Sequence, residues 1–80
     1  MAENDPKDIV QRLLQANDGR LNIRRLWDEA DLSGFDLRQA IDGLVQEQIV
    51  RVSDRMGKRQ GVPDELAGIE FVTLVAEHRG

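Results

Sequence analysis

The stretch LNIRRLWDEADLSGFDLRQAIDGLVQEQIVRVSD, residues 21–54, decides the fold. Asn22 is a helix-capping residue type, with Leu21 before it and Leu26 four residues after it, the spacing of a hydrophobic staple. Ser33 repeats the pattern: Leu32 precedes it, Asp36 takes the capping-box position, and Leu37 answers Leu32. A capping-box Asp reaches less far than Glu, so its return bond to the cap is the weaker half. Leu37, Ile41 and Leu44 follow at spacings of four and three, flanked by Val45, and make one apolar helical stripe. After Gln48 the period changes. Ile49-Val50-Arg51-Val52-Ser53 is short and β-branched, hence a strand. The stretch therefore predicts helices over about 22–31 and 33–48, a minimal strand near 21–23, and a strand over 49–53.

Outward from this centre the punctuation is equally local. Upstream, Asp5 caps a helix over about 5–17, Pro6 sits at the first helical position, and Asp8 favours the positive helix end. Ile9, Val10, Leu13 and Leu14 form its apolar stripe, and Asn17-Asp18-Gly19 stops it. Downstream, DRMGKRQGVPDELAG (54–68) carries three Gly and a Pro and reads as a loop, with a helical turn at Asp64 to Ala67. Residues 69–76, from Ile69 to Ala76, are rich in β-branched and aromatic residues and read as a returning strand; a fourth helix is the alternative. Eighty residues hold one domain and one core.

The run ANDGRLNIRRLWDEADLSGFDLRQAIDGLVQEQIVRV resembles the winged helix-turn-helix superfamily. Leu32, Leu37, Ile41, Leu44, Ile49 and Val50 stand where that pattern buries residues. The resemblance implies a small α+β domain of three helices and a two- to three-stranded antiparallel sheet, with 54–68 as its wing. It departs in two places. Gln48 stands where such domains often place Gly, and the wing is long.

Charge limits what the domain can bind. Eleven basic residues face fifteen acidic ones, for a net charge of −4 and a pI near 4.8. A non-specific nucleic-acid binder is normally basic, since counterion release supplies most of its affinity. The net negative charge lies in residues 1–18 and 61–80, while 19–60 is near neutral, so a DNA-facing surface has to come from the middle. Zero Cys excludes a disulfide framework and thiolate chemistry. His78 is the only histidine and has no partner at metal-ligand or nucleophile spacing. The acidic run Asp28-Glu29-Ala30-Asp31 reads as a solvated helix face. We therefore expect no enzyme, no catalytic residue, no metal site and no cofactor. The polar N-terminus lacks the pattern of a signal peptide and no run suits a membrane span, so a cytoplasmic location is expected.

Two functions remain open. The resemblance implies a transcriptional regulator or accessory factor on double-stranded DNA, with the third helix in the major groove. Ser33, Arg38 and Gln39 would then face the bases, Arg for guanine and Gln for adenine. Arg24, Arg25, Arg55, Lys58 and Arg59 would hold phosphates. Asp36 and Asp42 would meet the same negative surface, and Arg38 is also placed to pair with Asp42 one turn on. The alternative is a protein-interaction domain that uses the acidic third-helix face or the apolar last strand. Trp27 either packs in the core or anchors an interface. In the last strand Phe71, Thr73 and Val75 share one face, and Val72, Leu74 and Ala76 the other. Such two-sided apolarity calls for cover, either from helix one or from a partner across Val72, Leu74 and Ala76, a homodimer included.

Overall fold

The computed structural model describes residues 5–75. Its order is α1 (Pro6–Ala16), β1 (Arg20–Asn22), α2 (Ile23–Ala30), α3 (Gly34–Gln46), β2 (Val50–Ser53), β3 (Arg59–Gln60), a 3₁₀ turn (Leu66–Gly68) and β4 (Phe71–Leu74). This is the expected α+β winged-helix arrangement, with one strand more than expected. β3 forms inside the 54–68 loop because its two residues pair antiparallel with Val52 and Ser53. The helical turn of that loop lies two residues later than expected, at Leu66–Gly68. The last strand is confined to Phe71–Leu74; Ala76, expected at its end, lies outside the described residues.

The caps explain the helix starts. The Asp5 carboxylate accepts from the Lys7 N–H at 3.2 Å, Asn22 Oδ1 from Arg24 at 2.9 Å, and Ser33 Oγ from Asp36 at 3.1 Å. Each bond satisfies an amide that the first helical turn leaves without a partner. Among the described residues Asp36 returns no bond to Ser33, which fits its shorter reach. At the end of α3, Gln48 adopts φ 64° while its N–H donates to Val45 and that of Ile49 to Leu44. That pair of bonds is a Schellman motif, with Gln48 in the left-handed position usually given to Gly.

The four strands form one antiparallel sheet in the order β1-β4-β2-β3. Its inner face carries Leu21, Val50, Val52 and Val72 against the helices. Val10 and Leu14 of α1, Leu26 of α2, and Leu37, Ile41 and Leu44 of α3 complete the core with Leu66 and Ile69. Burying each such side chain contributes about 1.5–3 kcal/mol. No buried side-chain polar atom lacks a hydrogen-bond partner among the described residues. One long-range ion pair ties helix to helix. Lys7 Nζ lies 2.6 Å from Glu47 Oε2, and the carboxylate raises the Lys7 pKa through that hydrogen bond and its charge.

The burial of Val72 corrects one expectation. It is fully buried inside this single chain, so it offers no contact to a partner. Leu74 is half-buried and packs against the same core. The inner apolar face of β4 is covered by α1, the internal cover that the sequence left as one of two options.

Candidate functional site

The second half of the wing folds back over the start of α3. Leu66 and Ile69 are buried and pin residues 62–69 to the core. Arg38 then completes the attachment: its Nε donates to the Pro63 carbonyl at 2.9 Å, and its Nη2 lies 3.7 Å from Asp64 Oδ1. The expected pairing of Arg38 with Asp42 does not form; Asp42 instead accepts from Gln46 Nε2. A guanidinium held this way is turned from a base edge toward its own loop. Ser33 is occupied by capping, and Gln39 alone of the three expected base-facing residues is exposed and uncommitted among the described residues.

This fold-back creates a groove between the end of α2, the start of α3 and the 64–67 segment. It encloses about 350 Å³ and is lined by Trp27, Gly34, Phe35, Arg38, Leu66 and Ala67, with exposed Asp64 and Glu65 beside them. Trp27 is 40% exposed and Phe35 69%. The Trp27 ring crosses Gly34 so closely that a Cβ there would lie 2.9 Å from its Cζ2. Gly34 thus seats the indole at the groove floor, and Phe35 stands free next to it. Trp27 is neither a core residue nor a loose surface group. No local signal sets the path of the wing, so what Trp27 and Phe35 face was not legible from the residues alone.

The expected phosphate-holding cations divide. Arg24 and Arg55 line one open cleft below the wing, together with Asn22, Trp27 and Glu70. Arg25 is engaged with Glu29, Nε to Oε2 at 2.7 Å. Lys58 and Arg59 are exposed on the wing. The wing tip is an ordered turn, because Asp54 Oδ1 accepts from both the Met56 and Lys58 N–H groups. Met56 stands 86% exposed among these cations.

The opposite side of the sheet carries residues that the sequence did not single out as a group. Pairing register puts Arg20, Thr73 and Arg51 in one outward row, and Asn22, Phe71, Ser53 and Arg59 in the next. The Arg20 guanidinium carbon lies 4.2 Å from the Phe71 ring centroid. A strand alternates sides, so this face becomes readable only once register is known.

Among the described residues no helix is long and apolar enough to cross a membrane, and no cluster of metal-ligand side chains forms. Comparison with protein-family profiles, curated proteins and solved structures gives no match to this chain.

Proposed function

We propose that this chain is a non-enzymatic protein-docking domain on a winged-helix scaffold, and that its groove takes an apolar segment of another protein. One observation carries the reading: Trp27 and Phe35 stand exposed over a groove at the start of α3, where a DNA-reading helix would present polar side chains. Half-exposed aromatics in a pocket are the usual anchors of protein interfaces. Charge gives the partner its flank. Arg38 is engaged with the Pro63 carbonyl and Asp64, leaving Glu65 beside the groove, Asp31 one turn beyond Trp27, and Asp36 next to Phe35. A segment with one or two large apolar residues beside Lys or Arg fits this surface.

Selection from a random peptide library on the intact domain tests the reading. Peptides that converge on an apolar anchor with basic neighbours, shift Trp27 emission and lose binding to Phe35→Asp support it. Peptides that bind Phe35→Asp as well as wild type, or no convergent peptide at all, overturn it. Trp27 is the chain's only tryptophan and lines both this groove and the cleft of Arg24 and Arg55, so loss of the emission shift in Phe35→Asp is what assigns it to the groove.

A specific observation also favours a second reading, as a regulator on double-stranded DNA. Arg24 and Arg55 share one cleft, and Lys58 and Arg59 extend the positive surface along the wing. Arg25 is held by Glu29, so these make four phosphate contacts, for which the log–log salt slope of binding is about −3.6. Anisotropy titration of generic duplex DNA with wild type and Lys58→Glu/Arg59→Glu decides it. Steep salt-dependent binding lost in the charge-reversed protein supports the DNA reading; absence of binding at low salt ends it.

A further inference from the structure

We propose that the outward face of the sheet binds single-stranded nucleic acid. The inference is independent of the groove, since the helices pack on the other side of the sheet.

The face has a definite chemical composition. Arg20 and Arg51 flank Thr73 in one row, and adjacent strands lie about 4.8 Å apart, so the two arginines start about 10 Å from each other. Arg59 occupies the next row, two strands from Phe71. All three arginines are exposed, and none has an ion-pair partner among the described residues. Two clefts at the margins of the sheet, one beside Arg20 and Phe71 and one beside Arg51 and Arg59, have no acidic side chain in their linings. In a chain of net charge −4 that segregation is the opposite of a solvating mixture. Glu70, the residue before β4, accepts from Asn22 Nδ2 at 3.0 Å.

Phe71 selects the kind of polyanion. Its ring holds the Arg20 guanidinium at stacking distance, which leaves the guanidinium's N–H edge free for a phosphate and lowers the rotamer entropy lost on binding. A ring and a stacked guanidinium set among arginines form a platform for an unpaired base, with Thr73 as a hydroxyl donor between two phosphate sites. A duplex offers its bases only in grooves, and a sheet face of strands two to four residues long has nothing that inserts into one.

The test is fluorescence anisotropy with a labelled oligothymidylate of about 12 nucleotides. It is run at low and moderate salt on the full chain, on Arg20→Glu/Arg51→Glu, on Phe71→Leu and on Lys58→Glu. All four substituted positions point outward, and circular dichroism confirms that each variant folds. The wild type is expected to bind with a log–log salt slope of about −2, from three contacts to a single strand. The double charge reversal is expected to weaken binding at least tenfold, and Phe71→Leu on the order of fivefold, the small end of base-stacking losses. Lys58→Glu, on the wing tip, leaves the affinity within about threefold of wild type, as for a charge outside the contact set. Three results overturn the proposal: no binding at low salt, equal binding by wild type and Arg20→Glu/Arg51→Glu, or a duplex of equal length bound as tightly. A polyglutamate peptide that displaces the oligonucleotide at equal charge concentration also overturns it, and assigns the face to an acidic protein segment.

Discussion

Gln48 shows how a single residue can follow the fold against its own preference. The Schellman bonds at the end of α3 demand a left-handed residue, and Gln48 supplies it at φ 64°. A residue with a Cβ bears a cost there that Gly avoids, roughly 1 kcal/mol. Asp18 and Asp31 adopt the same region, but Asp is among the types that tolerate it. Gln48→Gly is therefore expected to stabilise the domain by up to about 1 kcal/mol, a rise of about 4–8 °C in a thermal melt. An unchanged or lower melting temperature would mean that the Gln48 side chain contributes more than its backbone strain costs. Gly34 gives the converse case. Gly34→Ala, at the first residue of α3, gains only part of the roughly 1 kcal/mol of propensity available in a helix interior and drives a methyl into the Trp27 ring. We expect little net change in stability and a red shift of Trp27 emission as the indole leaves its seat. Only the first of these positions was visible in the sequence. The missing Gly at 48 marked a departure from the resemblance, whereas Gly34 looked like any residue after a cap, because its neighbour across the groove is set by tertiary packing.

At the scale of elements, legibility followed the range of the forces involved. The three helices could be read because their signals are local: Asp5, Asn22 and Ser33 cap within three residues of themselves, and each apolar stripe repeats within its own helix. Loss of the Ser33 hydroxyl in Ser33→Ala should cost about 1 kcal/mol in chemical denaturation. The wing could not be read, because its course depends on partners far along the chain. Arg38 holds Pro63 across 25 residues, and Gln60 Nε2 reaches the Gly68 carbonyl. Arg38→Ala should accordingly speed amide exchange in residues 62–68 while leaving α1 protected, and stability should fall by about 1 kcal/mol, the lower range for a hydrogen bond to a partly exposed charge. Uniform acceleration along the chain would show instead that this attachment is needed for the whole fold. The tie from Lys7 to Glu47, 40 residues apart, was equally hidden. Its pH dependence has a definite sign. A lysine pKa raised by folding stabilises the native state below the ordinary lysine value of 10.5, and that contribution fades as pH rises through the raised value. The difference in melting temperature between wild type and Glu47→Gln should be visible at neutral pH and low salt, and should vanish in strong alkali. A difference that persists there would assign it to packing rather than to charge.

For the whole molecule, the distribution of charge matters more than its sum. Net charge −4 argues against a general affinity for polyanions, yet three arginines gather on the outer sheet, while the groove at α3 is apolar and bordered by Asp64 and Glu65. Sequence alone averages these regions, since Arg20, Arg51 and Arg59 lie on three different strands and meet only through register. Their separation makes the two proposed contacts independent, and salt distinguishes them within one sample. Tenfold more salt should weaken the oligonucleotide by about a hundredfold, from three released counterions at about 0.7 each. A groove-bound peptide anchored by apolar burial should change little over the same range, because its affinity comes from area removed from water. Saturating peptide should leave the oligonucleotide affinity at low salt within about twofold, as for sites with no shared partners. Sedimentation of both ligands with the protein would then show a ternary complex at low salt that sheds only the oligonucleotide as salt rises. If the peptide instead expels the oligonucleotide at constant salt, the nucleic acid occupies the groove side, and the arginines of the outer sheet are a solvated surface after all.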